Sequence, residues 1–535
     1  MAKNAPSLAA VGRRQPQGGG LAGGDIRRWV ERGADERPTQ YFLLGARDNR
    51  TVTYATLATL VCALEAQLDR SGVPSDGPIA VNCKDYLDYA ASFVALLAAG
   101  RTVVPLDPRA PAPELRRTRA LTGPVATITR TDLFEGGASP EGVVFVDMPE
   151  GGSGRFSGNG GTGQVRPWAG GGSSNTRDCA VLLSTSGTTG APKVVRLTES
   201  QLAHVARGIA DHHRLRPGER GFSPLPLFHV NAEVVALLAT LAGQASIVLD
   251  DRFHRTLFWE NVARHGATWV NAVPAIITIL ATAAPLAAAP DEVRQQMRCN
   301  VRFVRSASAP LPVATLKRFE AVTGLRVVES YGMTEAASMI TANPVDGVRK
   351  PGSVGPPVGC QLQVVDRSRR PLPSGEVGLI EVRGPGVITG YAMGGEGAFT
   401  PDGWLSTSDL GYQDEDGYVF LVGRSDDVVN RGGENIYPRE VEEVLLADPR
   451  VDAAVVVGLP DPVLGAVPVA YVVAPGLSVT ERAELVAHLQ WRCRAELNAF
   501  KVPVTTHVVD NLPVGPTGKV SRRRALAELA SVAQP

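Results

Sequence analysis

Residues 184–193 read STSGTTGAPK, a composition suited to wrapping an anion. Successive backbone N–H groups of a glycine-rich turn form a concave nest of donors. The hydroxyls of Ser184, Thr185, Ser186, Thr188 and Thr189 add to them, Gly187 and Gly190 free the backbone to close in, and Lys193 brings a point charge. A Walker A loop needs G-x-x-x-x-G-K-[ST] and opens directly into a helix. Here the glycines and lysine are spaced differently, and the β-branched run KVVRLT follows before any helix. The segment is therefore predicted to link two strands, and an ordinary P-loop NTPase is disfavoured.

Three further stretches carry chemistry-bearing residues. In YGMTEAA, residues 331–337, Tyr331 offers a flat ring for a base, Thr334 a donor for a phosphate oxygen, and Glu335 an oxygen ligand for Mg²⁺. The bland alternative is a strand end followed by a helix start. In TSDLGYQDEDGYVFLVGRSDDVVNRGGENIYP, Asp409 is an acceptor suited to ribose hydroxyls, and Arg424 a donor that could reach ribose or phosphate. DEDG in that stretch reads as a hairpin turn, not a metal site, and RGGEN exposes a backbone that a ligand can approach closely. In PVGPTGKVSRR, Lys519 sits in a Pro/Gly-rich loop, where a lysine is ordinarily only a solvated charge. FHVNAEVVALL suggests a pocket edged by His229, Val230 and Asn231, with Glu233 facing either a ligand or the interior.

The elements that must hold these residues have an α/β rhythm. GPIAVNC, AASFVALLAAGRTVVPLD and PVATITR alternate strand-like and helix-like runs, the βαβ signature of a largely parallel sheet. Past the quoted loop, Thr198 and Gln201 form a candidate capping box, and Leu202, Val205 and Ile209 share one helix face. The last hundred or so residues read as a small α+β unit. There Pro438 stands in a first helical turn, Ser478 and Glu481 form a second capping box, and Leu485, Leu489, Cys493 and Leu497 form a stripe. The expected organisation is a flexible arm over residues 1–24, a large domain of βαβ-type sheets with helices over 25–424, and a small mobile α+β domain over 425–535. The glycine-rich stretch 151–175 is expected to be a surface loop. The boundary is expected at the polar turn GRSDD, residues 423–427.

Bulk properties exclude several classes. The chain has 535 residues, long enough for two to four compact units, with 54 basic and 54 acidic side chains. That balance argues against a nucleic-acid partner. The six cysteines are scattered without C-x-x-C spacing and read as reduced thiols of a cytosolic protein. His212 and His213 lack a nearby third ligand, so a metal held by the protein alone is disfavoured. The N-terminus has no apolar core of a signal peptide, and ASFVALLAAG is too short to cross a bilayer. The expected location is the cytoplasm, with no membrane partner.

Taken in order, PLFHVNA, YGMTE, TSDLG, GRSDD, RGGENIYP and PTGK resemble the adenylate-forming superfamily: acyl- and aryl-CoA synthetases, adenylation domains of peptide synthetases, and luciferases. The acyl-CoA synthetases are nearest in flavour. The resemblance implies ATP and Mg²⁺ as cofactors and coenzyme A as co-substrate. It implies phosphate binding by Thr185, Ser186, Gly187, Thr188, Thr189, Gly190 and Lys193. Tyr331 and the adjoining Gly332 would serve adenine, Thr334 the α-phosphate, Glu335 the Mg²⁺, Asp409 the ribose, and Arg424 ribose or phosphate. His229 would stand near the reacting carboxylate, in an acyl pocket shared with Val230, Asn231, Ser306, Ala307 and Ala336. Gly432, Gly433 and Glu434 would line the path of the thiol, Asp426 would be the hinge, and Lys519 would bridge the α-phosphate and the carboxylate.

Three positions depart from the family pattern: Ala307, Ser408 and Val194 stand where glycine is usual. The implied activity is acyl-adenylate formation with release of pyrophosphate, then acyl transfer to coenzyme A. Alternatives are another acid, including a small oxyacid such as nitrite; a carrier-protein thiol or an amine as acceptor; and a non-catalytic nucleotide-binding relative.

Overall fold

The computed structural model describes residues 24–129, 143–145, 179–186, 192–513 and 520–529. All but the last residue of the expected N-terminal arm, and the whole glycine-rich stretch 151–175, lie outside them. Two sheets dominate. One has six strands in the order Val143–Phe145, Ala126–Thr129, Ile79–Val81, Val103–Pro105, Cys179–Ser186 and Pro192–Thr198. Its pairs are parallel except the last, which is an antiparallel hairpin. The helix Tyr86–Ala98 makes the crossover from Ile79–Val81 to Val103–Pro105, as the βαβ pattern predicts. Asp85 caps it, accepting from the amides of Leu87 and Asp88. It is apolar nearly all round because it is buried nearly all round.

The second sheet has eight strands, in the order Thr341–Ala342, Val327–Tyr331, Phe303–Ser306, Trp269–Ala272, Arg220–Ser223, Ser246–Leu249, Tyr41–Gly45 and Thr51–Thr53. Its centre is parallel and its two outer pairs are antiparallel. Trp269 stacks on Phe303 at 6.1 Å, and the buried ring of His213 meets both edge-on. An antiparallel sheet of Gln361–Val365, Gly378–Arg383, Leu405–Gln413 and Val419–Arg424 completes this part, sharing a core that runs from Ile26 to Val419. DEDG is the hairpin turn expected of it: Gly417 N donates to Asp414 O, and Asp414 N to Tyr418 O.

A separate apolar cluster unites Val429, Ile436, Val441 and Leu445 with Leu485, Leu489 and Cys493. The last three lie four residues apart on one stripe of the helix Val479–Glu496. Truncating a buried leucine there to alanine costs about 2–5 kcal/mol. Both predicted capping boxes form, Thr198 with Gln201 and Ser478 with Glu481. The sheet of this cluster contains Glu434–Ile436, Val429–Arg431, Gly465–Val473, Ala453–Asp461 and Thr505–Val509. The helix Pro438–Leu446 meets the larger part through two bonds: Val313 N donates to Glu443 Oε2 at 3.2 Å, and Arg439 Nη1 to Leu421 O at 2.8 Å. No helix among the described residues is long and apolar enough to cross a membrane.

Candidate active site

The strand Val327–Tyr331 delivers the first cluster of functional side chains. Past its end the chain folds back, with Ile340 N donating to Tyr331 O. Gly332 permits this: a Cβ there would lie 1.4 Å from the carbonyl oxygen of Ser338. The segment then makes a single 3₁₀ turn, Thr334–Ala336, where sequence offered a longer helix as the bland alternative. Left-handed backbone at Ala337 and Ser338 ends the turn.

Tyr331 reaches across to the hairpin Leu405–Gln413/Val419–Arg424. Its hydroxyl donates to Asp409 Oδ2 at 2.5 Å. Asp409 and Arg424 are cross-strand partners, and Arg424 Nη1 donates to Asp409 Oδ1 at 3.2 Å. Arg424 Nε also donates to Asp426 Oδ1 at 3.1 Å, in the exposed turn expected to act as hinge. Burial raises the Asp409 carboxyl; the Tyr331 hydroxyl and the Arg424 charge oppose it. Burial likewise disfavours the Arg424 cation, but Asp409 and Asp426 outweigh it and its pKa is raised. Ser408, at which the resemblance leads one to expect glycine, adopts φ +61°, a left-handed conformation that glycine takes at less cost. Near Ala307, another of the three departures, the left-handed position falls one residue on, at Ser308 with φ +75°.

Glu335 is buried and accepts a 2.9 Å hydrogen bond from Tyr391 on Oε1. The same ring lies under Lys193, whose Nζ is 5.1 Å from its centroid. The backbone reinforces this link: Val194 N donates to Met393 O, and Ala392 N to Val194 O. Tyr391 was not singled out from sequence. Its only signal was an aromatic residue within the glycine-containing stretch ITGYAMGG.

The opening loop joins two strands, as its flanks predict. Thr185 pairs with Lys193 and Ser186 with Pro192 in the antiparallel hairpin. Gly187, Thr188, Thr189 and Gly190 lie outside the described residues, as does Lys519. One carboxylate with an oxygen left over, beside a lysine and a glycine-rich loop, suits Mg²⁺ carried by phosphates, because that ion takes one or two carboxylates plus phosphate oxygens and waters. Glu335 meets this requirement.

At the acyl end, His229 and Val230 are half-buried, and Asn231 opens the π-helical stretch Asn231–Leu238. Such stretches recur at functional sites. Ser306 closes the strand Phe303–Ser306, Ala307 follows it, Ala336 follows the neighbouring strand Val327–Tyr331, and both alanines are buried. Glu233 faces the interior at 1% exposure, and burial pushes its carboxyl well above the usual range. Gly432 and Gly433 are the left-handed turn of the hairpin Val429–Arg431/Glu434–Ile436, with Glu434 exposed. Their surroundings are local: Gly432 N donates to Leu464 O, and Arg431 Nη1 to Phe500 O. No hydrogen bond among the described residues ties this turn to Tyr331, Glu335 or Asp409.

A hydroxyl–carboxylate–guanidinium cluster and a lysine-bearing hairpin on an α/β fold are the parts that a nucleotide-using enzyme needs. The profile of the AMP-binding enzyme family matches residues 27–392, and that of the AMP-binding enzyme C-terminal domain matches residues 440–519. The chain belongs to the AMP-binding enzymes. It is 43% identical over 351 residues to a sulfoacetate–CoA ligase of Cupriavidus necator, covering 65% of this chain and 66% of that one. It is 36% identical over 357 residues to an oxalate–CoA ligase of Saccharomyces cerevisiae, covering 66% and 63%. The matched stretches thus span just under two thirds of these curated relatives. Among solved structures it superposes on the O-succinylbenzoate coenzyme A synthetase of Bacillus subtilis in complex with ATP and magnesium ion. The TM-score is 0.76, with 27% identity and coverage of 93% of this chain and 98% of the other.

Proposed function

We propose that this protein is an AMP-forming acid–CoA ligase acting on a small carboxylic acid. The observation that carries the reading is the convergence of Tyr331, Asp409 and Arg424 on one side and Glu335, Tyr391 and Lys193 on the other, contributed by four separate stretches of chain. A carboxylate oxygen of the acid attacks the α-phosphorus of ATP. The bond from that phosphorus to the bridging oxygen breaks, and pyrophosphate leaves with the electron pair. The hairpin loop at residues 185–193 therefore holds the phosphates that depart. Asp409 accepts from the ribose, Tyr331 covers the base, and Thr334 donates to the α-phosphate. Lys519, brought by the C-terminal lobe, offsets charge on the attacked phosphate and the carboxylate. Mg²⁺, when bound through Glu335, neutralises phosphate charge.

A coenzyme A thiolate then attacks the acyl carbon, a thioester forms and AMP leaves. We take residues 425–535 as the lid domain. It withdraws Lys519 and brings Gly432, Gly433 and Glu434 to the acyl group by turning at Asp426, an exposed turn residue whose carboxylate is tied to Arg424. The named acids of the two curated relatives, sulfoacetate and oxalate, are both small and doubly anionic, and we assign this chain an acid of comparable size. Six cysteines present as thiols support a cytoplasmic location.

The test is isotope exchange between pyrophosphate and ATP, with AMP release across an acid panel, with and without coenzyme A. Lys519→Ala is expected to slow exchange by about 10²–10³-fold while ATP still binds. Near-normal exchange in that variant, or ADP as the product, would sink the reading. Equal acyl transfer without coenzyme A, onto an amine or a carrier protein, would reassign the acceptor.

A further inference from the structure

Arg305 is among the largest fully buried side chains, at 1% exposure. It lies on the strand Phe303–Ser306, paired in register with Asn271. Its Nη1 donates to Asn231 Oδ1 at 2.9 Å and to Asn271 Oδ1 at 3.1 Å, and Asn271 Nδ2 donates to Asn231 Oδ1 at 3.3 Å. Its Nε is buried without an acceptor. Two neutral amides thus hold the guanidinium, and no carboxylate among the described residues forms an ion pair with it. Burial alone pulls its pKa down, to about 9, which leaves it cationic at neutral pH.

The groups around it add no negative charge. His212 and His213, at the end of the helix Glu199–His213, are pushed toward neutrality first by burial, with the nearby Arg305 charge adding to it. Burial disfavours the charged form of Glu233 as well, and Arg302 is paired with Glu219. An uncompensated buried cation is costly, and natural proteins answer it with an anion. The hydrogen bonds from Arg305 lead toward the acyl end. Asn231, two residues past His229, donates through Nδ2 to the exposed Ser308 Oγ at 3.0 Å. The path therefore ends among the residues assigned to the acyl pocket.

We propose that Arg305, held by Asn231 and Asn271, binds a second anionic group on the acid substrate, a carboxylate or a sulfonate, and so makes the enzyme selective for small dianionic acids. The inference rests on the acid-activating reading of the site. The reacting carboxylate is already assigned to Lys519, which leaves the guanidinium for the other anionic group. A bidentate guanidinium–oxyanion contact supplies both charge and orientation.

The test is pyrophosphate exchange by the full-length enzyme with oxalate, malonate and sulfoacetate, against acetate and propionate. The wild type is expected to favour at least one dianion by about 100-fold in kcat/KM. Arg305→Met is expected to cut that preference about 100-fold, chiefly through KM for the acid and not KM for ATP, and Arg305→Lys to restore part of it. Asn271→Asp is the variant that guards against misfolding: it is nearly isosteric and gives the guanidinium an internal counter-ion. It is expected to keep the protein folded and lower dianion preference at least tenfold. Preference unchanged in either Arg305→Met or Asn271→Asp overturns the proposal. So does a wild type that uses monoacids only, and in that case the ligase reading stands. A wild type that exchanges with no acid removes the ligase reading and this inference with it. The oxalate, malonate and sulfoacetate arms separate carboxylate from sulfonate recognition.

Discussion

The nucleotide end and the acyl end both draw on neighbouring strands of the eight-stranded sheet, Val327–Tyr331 and Phe303–Ser306, yet they treat buried charge in opposite ways. At the nucleotide end Asp409 lies between the Tyr331 hydroxyl and the Arg424 guanidinium, and Arg424 has Asp426 as well. A ligand arriving there meets groups already oriented by one another. At the acyl end Arg305 is held by amides and faces no opposite charge among the described residues. The first arrangement is preorganised without its ligand; the second is complete only when a ligand brings the missing charge. Between them stands Glu329, on the strand of Tyr331. Its Oε1 accepts from Leu311 N at 3.4 Å, its Oε2 has no partner, and Arg439 compensates it only partly.

The strongest way to break this contrast is Asp409→Ala. It leaves the Tyr331 hydroxyl without its acceptor and Arg424 without its cross-strand partner. Removing one member of a desolvated charge pair typically costs 2–5 kcal/mol, so kcat/KM for ATP should fall about 100-fold or more. A loss under tenfold would show that the nucleotide end is not preorganised by this pair.

Glu329→Gln sharpens the intermediate case. Burial first, with Glu443 adding to it, raises the Glu329 carboxyl from 4.5 to about 7. The protonated form is thus favoured on folding. Stability from this group is full below pH about 4.5 and lost as pH rises through about 7, by roughly 3 kcal/mol in all. Urea midpoints for wild type and variant should diverge between pH 5 and pH 8, with the glutamine form the more stable at pH 8. Parallel midpoints across that range would place Glu329 with the fully paired groups.

The smallest effect is expected from Tyr391→Phe, which deletes the hydrogen bond to Glu335 and keeps the ring under Lys193. The loss of one such bond to a charged group is about 1.5 kcal/mol, or about tenfold in KM for ATP measured with Mg²⁺. An unchanged KM would mean that Glu335 is positioned by its backbone alone.

Much of this was legible in the sequence. Glycines, caps and strand ends are local signals, so the hairpin around residues 185–193, the two capping boxes and the turn DEDG were readable from neighbouring residues. For residues 331–337 the bland alternative, a strand end followed by a helix start, gives way to a single 3₁₀ turn, because Gly332 and the left-handed Ala337 and Ser338 turn the chain back. What escaped are contacts made only by tertiary folding. Tyr391 and Glu335 are 56 residues apart, and Asn271 and Arg305 are 34 apart. An arginine in the run VRFVRSASAP carries no periodic sign of being buried; parallel strands covered on both faces lose the alternation that would have revealed it.

The strip of chain at residues 391–393 acts as a splint across the base of the phosphate hairpin. It bonds to both the N–H and the C=O of Val194 while its tyrosine underlies Lys193. The lysine's position is therefore dictated from about two hundred residues downstream. Grafting the ten-residue loop into a new scaffold would carry over its composition but not its aim, unless this distant brace travelled with it.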